Sequence, residues 1–385
     1  MQNSMTIPNA RSREGEKTYS YTPLFFRLAN RQDKEKLLDL MEKVPYLEVM
    51  DTYLSQLEEW VKAMHPGRRW TPEELHTEVE RQIGEADVAE LGVWVYYPWK
   101  QLLVHLLDEE AFIFVRTNRN RNKITAEEQL RLREQKIGVI GLSVGHSIAM
   151  TLAMERNAGE LRLADFDTLE LSNLNRIRAG VHELGVPKVV IAARAIAEID
   201  PFLKVICYEQ GITEENIDLF FTEGGRLNLV LDECDSLDVK MLIRLKARDM
   251  CIPVVMETSD RGMIDIERFD LEPERPIFHG LLEGMDMEVL KNLSNQEKIP
   301  HVLKIVGYET MSLRLKESLH EVGSTILTWP QLASSIMLGA ASGADACRRI
   351  GLGQSCESGR YYVDLEELVG YRESRNRQAV LFDPT

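Results

Sequence analysis

Residues 136–176 read KIGVIGLSVGHSIAMTLAMERNAGELRLADFDTLELSNLNR. The apolar run Ile137–Ile140 is too short for a helix and is rich in β-branched residues, which predicts a buried parallel strand. A G-x-S-x-G turn at residues 141–145 leads into a segment of helical spacing, and a second strand, Leu161–Ala164, ends at Asp165. This order is typical of a Rossmann-like nucleotide site, in which helix N–H groups bind phosphate and a carboxylate binds ribose hydroxyls.

Strands and helices continue to alternate beyond this segment. Apolar runs at Lys204–Tyr208, Leu227–Leu231 and Ile252–Met256 predict three further strands, separated by segments of helical spacing. This alternation predicts right-handed βαβ units and a mainly parallel sheet with helices on both faces. Met263–Phe269 alternates with a period of two and predicts an antiparallel extension of the sheet. The predicted fold class is therefore α/β, with a Rossmann-like, doubly wound, mainly parallel sheet.

The first 112 residues have a different pattern, which predicts mainly helices. Helices are predicted at Gln32–Lys43 and Tyr53–Met64, and a third begins at Thr71, where a threonine and a proline are typical of a first turn. An aromatic cluster near the end of this segment is expected to pack it against the following domain. The cluster consists of Trp94, Tyr96, Tyr97 and Trp99.

Composition restricts the classes of protein that the chain fits. The net charge of the 385 residues is −16, which argues against a general nucleic-acid surface and against binding to anionic membranes. Residues 1–21 lack the apolar core of a signal peptide, and no run approaches the ~18–20 apolar residues that span a bilayer. The five cysteines are scattered, as expected for reduced thiols. A cytoplasmic protein without nucleic-acid or membrane partners is therefore expected.

The residues after the second strand carry a family resemblance. Residues 165–176, DFDTLELSNLNR, resemble the D-x-D…S-N-L-x-R segment of the ThiF/MoeB/HesA/ubiquitin-activating-enzyme-like adenylyltransferase superfamily. Further matches occur in the expected order, with Arg116-Thr-Asn-Arg119 upstream and with Pro187-Lys188 and residues 231–236, LDECDS, downstream. The resemblance covers roughly residues 115–270, and its ordered set of motifs is more specific than any one of them.

The resemblance implies an ATP- and Mg²⁺-dependent adenylyltransferase that forms a homodimer. Members of the superfamily activate a carboxylate as an acyl-adenylate and release pyrophosphate. The carboxylate is expected to be the C-terminus of a ubiquitin-like or sulfur-carrier protein, or a small molecule. The chain then divides into a helical N-terminal segment (1–112), a Rossmann-like ATP-binding adenylation domain (113–270) and a C-terminal extension that completes the same domain (271–385).

The resemblance also gives individual residues a role. The residues expected to bind the nucleotide are Gly141, Ser143, Gly145, Asp165, Asp167, Asn173, Arg176 and Lys188. The residues expected to act in catalysis are Arg119, Arg176, Lys188 and Asp235. Arg176 and Lys188 would neutralise phosphate oxygens, and Asp235 would hold Mg²⁺. Arg119 would reach the γ-phosphate, which in several members happens across a dimer interface.

Several of these residues also have a simpler explanation. Asp165 and Asp167 could cap a strand-end loop, and Lys188 could be an exposed lysine of a first helical turn. Asp235 could be the N-cap of the helix that begins at Leu237. Each residue alone is therefore weak evidence. They become one hypothesis because they share the carboxyl edge of a single parallel sheet.

The glycine turn departs from the superfamily pattern G-x-G-G-x-G. Ser143, Val144 and His146 stand where the superfamily has glycine. The Ser143 hydroxyl could donate to a phosphate oxygen, whereas His146 is expected to pack or cap the helix rather than to act as a catalyst. A nucleotide-binding relative with lost or changed chemistry is therefore an alternative.

Three other functions would use the same residues. An NAD-dependent oxidoreductase would need the turn and Asp165, but it would leave Lys188 and Asp235 without a role. An esterase would use Ser143 as its nucleophile. A third possibility is an interaction module that binds a nucleotide without catalysis. No cysteine is expected to form a thioester, so adenylation followed by transfer to an external nucleophile is the simplest chemistry.

Overall fold

A four-stranded sheet with three helices forms the N-terminal part of the computed structural model, which describes residues 19–370. Its elements are β1 (Leu24–Phe26), α1 (Arg31–Lys43), β2 (Glu48–Asp51), α2 (Tyr53–Met64), α3 (Pro72–Ile83), β3 (Val93–Tyr97) and β4 (Leu102–Leu106). The strand order is β1-β3-β4-β2, and only the pair β2–β4 is parallel. The helix start predicted at Thr71 is present, and Thr71 caps α3 in a reciprocal capping box with Glu74.

The prediction of a helical N-terminal segment is incomplete, because this sheet was not expected. The three predicted helices are present, but the residues of the aromatic cluster lie in and just after β3. All five residues of β3 are buried, since helices cover one face of the sheet and the following part of the chain covers the other. A strand buried on both faces has no alternation of polar and apolar residues, so the pattern that identifies strands is missing.

Aromatic side chains join the N-terminal sheet to the rest of the chain. The ring of Phe202 lies 5.5 Å from that of Phe25 and 5.3 Å from that of Phe112. The indole N–H of Trp99 donates to Glu198 at 2.6 Å. Trp99 therefore packs this segment against the following domain as expected, whereas Trp94 packs within the N-terminal core.

The next part of the chain alternates helices and strands as predicted. Its elements are α4 (Glu109–Thr117), α5 (Ala126–Arg133), β5 (Lys136–Ile140), α6 (Gly145–Glu155), β6 (Glu160–Ala164), α7 (Lys188–Ile199), β7 (Lys204–Tyr208), α8 (Ile217–Thr222), β8 (Leu229–Asp232), α9 (Leu237–Asp249), β9 (Val254–Thr258) and β10 (Met263–Glu267). The remaining elements are α10 (Met287–Lys291), α11 (Asn295–Val306), α12 (Leu313–Leu319), α13 (Ala333–Leu352), β11 (Gly359–Tyr362) and α14 (Leu365–Val369).

Among the described residues, these strands form a seven-stranded sheet of order β11-β10-β9-β8-β5-β6-β7. Neighbouring strands in the stretch β9-β8-β5-β6-β7 pair in parallel, and β10 and β11 extend the sheet antiparallel. Residues of α6, α7 and α13 share one apolar core with one face of the sheet, while α8 and α9 cover the other face. The predicted Rossmann-like, mainly parallel fold is therefore confirmed.

The C-terminal residues contribute both a strand and a covering helix to this sheet. β11 pairs with β10, and α13 packs against α6 and β9. The helix α11 was not predicted, because Pro300 lies inside it and a proline usually ends a helix. Within residues 19–370, every helix is too short or too polar to cross a bilayer.

Candidate active site

Two positions of the turn between β5 and α6 have no room for a Cβ atom. Gly141 has a φ of +85°, and a Cβ there would lie 2.5 Å from the carbonyl oxygen of Glu233. A Cβ at Gly145 would lie 2.8 Å from a methyl group of Val139. Ser143 is not among the residues of positive φ, so its side chain introduces no backbone strain. The turn therefore keeps glycine where close contact demands it and accepts serine where it does not.

The N-terminus of α6 has no side-chain cap from residues 19–370. Its N-cap residue is Val144, and within the described part of the chain no side chain accepts a hydrogen bond from the first turn. The first N–H groups of a helix have no partner in the helix, and the helix dipole adds partial positive charge there. A phosphate group is a suitable partner for such N–H groups.

Asp165 connects the end of β6 to the glycine turn. Its carboxylate accepts hydrogen bonds from the backbone N–H of Leu142 at 2.6 Å and of Asp167 at 2.7 Å. Burial raises the pKa of Asp165, and these two N–H groups and the ammonium of Lys188 oppose that shift. Asp165 does cap the strand-end loop, as the simpler explanation had it, and it also lies beside the turn that would hold the nucleotide.

Lys188 is buried rather than exposed at the start of α7. Its ammonium donates to Asp167 at 2.7 Å, and its backbone N–H donates to the carbonyl of the same residue at 2.9 Å. The Lys188 side chain is 7% exposed, whereas that of Asp167 is 51% exposed. The interpretation of Lys188 as a solvated surface lysine is therefore wrong. Lys188 is instead a buried cation that pairs with Asp167 beside the ends of the parallel strands.

Arg176 reaches back from the loop after β6 to the glycine turn. Its Nε donates to Ser143 Oγ at 2.8 Å, and one terminal nitrogen donates to the side-chain oxygen of Asn175 at 2.9 Å. Burial lowers the pKa of Arg176, and the negative charge of Asp235 opposes that shift. The guanidinium is thus half-buried beside the turn, with a carboxylate near enough to influence it.

Asn173 organises the same loop. Its side chain is buried, and its oxygen accepts a hydrogen bond from the backbone N–H of Glu170 at 3.0 Å. Asn175 donates to the carbonyl of Gln331 at 2.9 Å, which ties the loop to the segment that precedes α13. The two asparagines of the S-N-L-N-R motif therefore fix the loop that carries Arg176.

Asp235 is exposed after the end of β8 and is not the cap of α9. Ser236 is the N-cap residue, since its hydroxyl accepts from the backbone N–H of Val239 at 3.4 Å. Asp235 forms no hydrogen bond or ion pair with any other residue in the range 19–370. The structure therefore leaves this carboxylate free, although sequence alone could not separate the two roles.

The residues at the strand ends fit Mg²⁺ only as an ion that comes with a nucleotide. In the part of the chain that the structure describes, no group of three His, Cys, Asp or Glu side chains could hold a metal. Mg²⁺ commonly binds through one or two carboxylates together with phosphate oxygens and water. Asp235 can supply one such carboxylate beside the turn.

Arg119 is the one predicted site residue that a single chain does not bring to the turn. It is exposed on the turn after α4, where Asn120 donates to the carbonyl of Glu155 at 3.1 Å. Glu155 is the last residue of α6, and at 1.5 Å per residue it lies about 15 Å along the helix from its first turn. A role for Arg119 at the nucleotide therefore needs a second copy of the chain and stays a prediction.

Two buried carboxyl groups near the turn were not anticipated. Glu233 follows β8, and its carboxyl group accepts from the backbone N–H of Glu257 in β9 at 3.0 Å. Burial raises the pKa of both groups, that of Glu257 to about 8, and each Glu257 oxygen lacks a hydrogen-bond partner among the described residues. Glu233 lies inside the quoted LDECDS motif, but its proximity to Glu257 depends on the pairing of β8 with β9.

A buried ion network supports the strand ends from the other face of the sheet. Arg244 of α9 bonds to Asp232 and to Glu267, and all three side chains are fully buried. Lys240 donates to Asp232 at 3.2 Å. Although burial acts to raise it, these two cations lower the pKa of Asp232 to about 2. The network fixes α9, and therefore the loop that carries Asp235, against the sheet.

His146 lies in the first turn of α6 and is 1% exposed. Burial, with the positive charge of Arg178 nearby, lowers the pKa of His146 to about 4, so the ring is neutral at physiological pH. Neither ring nitrogen has a hydrogen-bond partner within residues 19–370. A buried neutral ring of this kind packs the helix, as the sequence predicted.

Comparison with known proteins gives this site a family context. A model of the ThiF family matches residues 117–316, just over half of the chain. An uncharacterized protein of Mycobacterium tuberculosis (strain CDC 1551 / Oshkosh) is 46% identical over 336 residues, which cover 86% of this chain and 44% of that protein. The chain thus spans less than half the length of this relative.

Two further similar proteins have a named activity. The molybdopterin-synthase adenylyltransferase of Haemophilus influenzae is 26% identical over 193 residues, which cover 49% of this chain and 78% of that protein. The solved structure of E. coli tRNA N6-threonylcarbamoyladenosine dehydratase in complex with ATP is 15% identical, covers 62% of this chain and 95% of that chain, and has a TM-score of 0.43.

The family match extends from the end of α4 into α12 and includes the glycine turn, Asp165, the Arg176 loop, Lys188 and Asp235. These are the residues that the fold gathers at the carboxyl edge of the parallel sheet. The chain belongs to the ThiF family.

Proposed function

We propose that this chain catalyses the ATP-dependent adenylation of a carboxylate. The observation that carries the proposal is the shared position of four features at one sheet edge. They are the uncapped N-terminus of α6, the buried Lys188, the half-buried Arg176 and the free carboxylate of Asp235. Membership of the ThiF family and similarity to a named adenylyltransferase support the same reaction.

In this reaction a carboxylate oxygen attacks the α-phosphorus of ATP, and the bond to the β-phosphate oxygen breaks to release pyrophosphate. A carboxylate is already ionised at neutral pH, so the step needs no general base on the protein. The work of the protein is to hold the two reactants in line and to stabilise the charge that develops on phosphate oxygens. The cations Lys188 and Arg176 and the carboxylate of Asp235 are the kinds of group that can stabilise this charge, directly or through a metal ion.

Each group has a distinct part in the proposal. The α6 N–H groups bind a phosphate, and Asp165 accepts from the ribose hydroxyls. Lys188 leaves or shares its contact with Asp167 and turns to a phosphate oxygen. Arg176, which contacts Ser143 of the turn, neutralises a second phosphate oxygen. Mg²⁺, when bound through Asp235 and the phosphates, would neutralise the leaving pyrophosphate. Arg119 of a second copy would complete the site in a homodimer.

The activated acyl group is transferred to an external nucleophile in this proposal, because no thiol near the site within residues 19–370 is suited to form a thioester. Cys234 donates from its Sγ to Asp232 at 3.0 Å, and burial raises its pKa well above the usual value. Burial also raises the pKa of Cys207 to about 12 and raises that of Cys347. Thiols of raised pKa are poor nucleophiles at neutral pH. The acyl substrate is the tail of a ubiquitin-like or sulfur-carrier protein, or a small carboxylate.

Pyrophosphate exchange tests the proposal. Labelled pyrophosphate should enter ATP only when a carboxylate substrate is present, since the reverse of adenylation requires an acyl-adenylate. A pool of sulfur-carrier-type protein tails and small carboxylates provides the candidates, screened first by ATP consumption. Substituting Lys188→Ala or Asp235→Ala should lower the exchange rate by about 100-fold or more, the usual scale for losing a group that stabilises charge in the transition state.

Matched controls come from the exposed surface of the N-terminal helices. Lys62→Ala and Asp39→Ala remove a lysine and an aspartate whose side chains are 51% and 58% exposed, and these variants should exchange like the parent. Exchange that persists unchanged in Lys188→Ala and Asp235→Ala would refute the proposed site. Hydrolysis of a short-chain ester that is lost in Ser143→Ala would favour an esterase instead.

A further inference from the structure

The serine in the glycine turn makes a contact that a glycine could not make. Ser143 Oγ accepts a hydrogen bond from Nε of Arg176 at 2.8 Å, across 33 residues of sequence. Both side chains are half-buried. Because Ser143 does not have a positive φ, the turn would keep its shape with either residue, so the serine is not a response to backbone strain.

This contact determines where the guanidinium of Arg176 lies. Its other hydrogen bond goes to the neighbouring Asn175, whose own amide group is tied to the carbonyl of Gln331. The Asn175 contact holds one terminal nitrogen, and the Ser143 contact holds Nε. Within residues 19–370, the second terminal nitrogen makes no hydrogen bond. The two contacts therefore fix the plane of the guanidinium and leave one edge of it open.

The geometry of the hydroxyl makes Ser143 suited to serve two partners at once. When a serine oxygen accepts a hydrogen bond from Arg176, its own hydrogen is still free to donate. The hydroxyl lies on the turn that leads into the uncapped first turn of α6. An anion at this helix terminus would lie beside the turn that holds Arg176, and the open edge of the guanidinium is the group available to meet it.

We propose that Ser143 is a positioning residue, which holds the Arg176 guanidinium against the turn so that it faces the α-phosphate of a bound nucleoside triphosphate. This inference rests on the proposed adenylation activity and adds to it. An arginine side chain that is free to rotate loses conformational entropy each time it engages phosphate. With Ser143 in place, that ordering is already complete before the nucleotide binds, which is how preorganised groups stabilise a transition state.

The expected signature is a loss of kcat with little change in KM. In Ser143→Ala the guanidinium loses one of its two fixed contacts, and kcat for pyrophosphate exchange should fall about tenfold, the scale of one hydrogen bond to a charged group. The KM for ATP should change by less than about twofold, because the helix terminus and Lys188 still bind the ground state. Ser143→Thr retains the hydroxyl and should recover most of the lost rate.

A double-mutant cycle separates positioning from a general structural role. If Ser143 acts through Arg176, then Ser143→Ala should have almost no effect in an Arg176→Ala background, whereas independent roles would give multiplicative losses. The midpoint of thermal unfolding should be the same for parent and Ser143→Ala. Calorimetric titration with ATP is a second measurement, and Ser143→Ala should bind ATP with an affinity within about twofold of that of the parent.

The outcomes distinguish this inference from the activity on which it rests. A parent protein that exchanges no pyrophosphate with any carboxylate would overturn the proposed function and this inference with it. An active parent in which the effects of Ser143→Ala and Arg176→Ala multiply would overturn the positioning role alone. An active Ser143→Ala with an unchanged kcat, or with a raised KM and an unchanged kcat, would also overturn it.

Discussion

The substitution Gly141→Ala tests whether the close approach of the turn to β8 is what the glycine provides. The backbone at residue 141 has a φ of +85°, and an added Cβ would lie 2.5 Å from the carbonyl carbon and oxygen of Glu233 and 2.7 Å from the nitrogen of Cys234. All three atoms belong to the backbone, so no flexible side chain can move aside. The turn or the end of β8 must shift instead.

The expected loss of stability in Gly141→Ala is the sum of two separate costs. A left-handed backbone conformation costs an alanine about 1–2 kcal/mol relative to glycine. Forcing additional atoms into a closely packed site typically costs about 1–3 kcal/mol more. The free energy of unfolding should therefore fall by about 2–5 kcal/mol. A shift of the turn would also displace the N–H of Leu142 from Asp165, which it contacts at 2.6 Å, so ATP binding should weaken as well.

Gly323→Ala is the matched control, because Gly323 has a φ of +81° and nothing within 4 Å of the added Cβ. This variant should incur only the first of the two costs, so its free energy of unfolding should fall by about 1–2 kcal/mol. Urea unfolding followed by far-UV circular dichroism measures both variants against the parent. If Gly141→Ala and Gly323→Ala lose the same stability, the contact with the Glu233 peptide has no consequence and the reasoning about the turn is refuted.

Two further predictions concern the buried charges behind the turn. Arg244→Met leaves two buried carboxylates without their common partner and should lower the free energy of unfolding by about 3–5 kcal/mol. Arg31→Met, at the exposed pair with Glu35, should leave that free energy nearly unchanged, and equal losses of the two variants in urea unfolding would contradict the network. Burial raises the pKa of Glu257 to about 8, so the folded state keeps a proton that the unfolded state releases above its lower pKa. This stabilising contribution is fully present below about pH 4.3 and is lost as the pH rises through about 8. The parent should therefore lose stability over that window relative to Glu257→Gln. Unfolding free energies that follow the same pH dependence in both proteins would contradict the prediction.

Much of the central fold could be predicted because its signals are local. The strand Lys136–Ile140, the glycine turn, the helix and Asp165 follow one another within 30 residues, and each has its own pattern of apolar spacing. The same was true of the helices in the N-terminal segment. The sheet of that segment was missed, since Val93–Tyr97 is buried on both faces and gives no alternating pattern.

In the candidate site, too, the residues could be predicted from local motifs, whereas their contacts could not. The motif order identified Asp165, Arg176 and Lys188, but the partners of these residues depend on how distant segments meet. The contact of Arg176 with Ser143 spans 33 residues and depends on the path of the loop after β6. Glu233 and Glu257 come together only because β8 and β9 are adjacent and parallel. Such contacts are properties of the tertiary structure and cannot be read from a single sequence.

The position of Arg119 shows a further limit of reasoning by motif. Its motif predicted a role at the γ-phosphate, yet the turn that carries it packs against the far end of α6. Neighbouring Arg116 is engaged there by Asp200 and by the carbonyl of Met154, at 2.8 and 2.9 Å. Whether a second chain brings Arg119 to the nucleotide depends on an interface, which a sequence motif does not describe.

Isothermal titration of the protein with magnesium ATP, and separately with NAD, tests most directly whether the sheet edge is a triphosphate site. We predict saturable binding of ATP that weakens at least tenfold in Lys188→Ala and is unchanged in Lys62→Ala, with no saturable binding of NAD. An absence of heat with ATP, an affinity that Lys188→Ala leaves unaltered, or tight binding of NAD in its place would contradict the account.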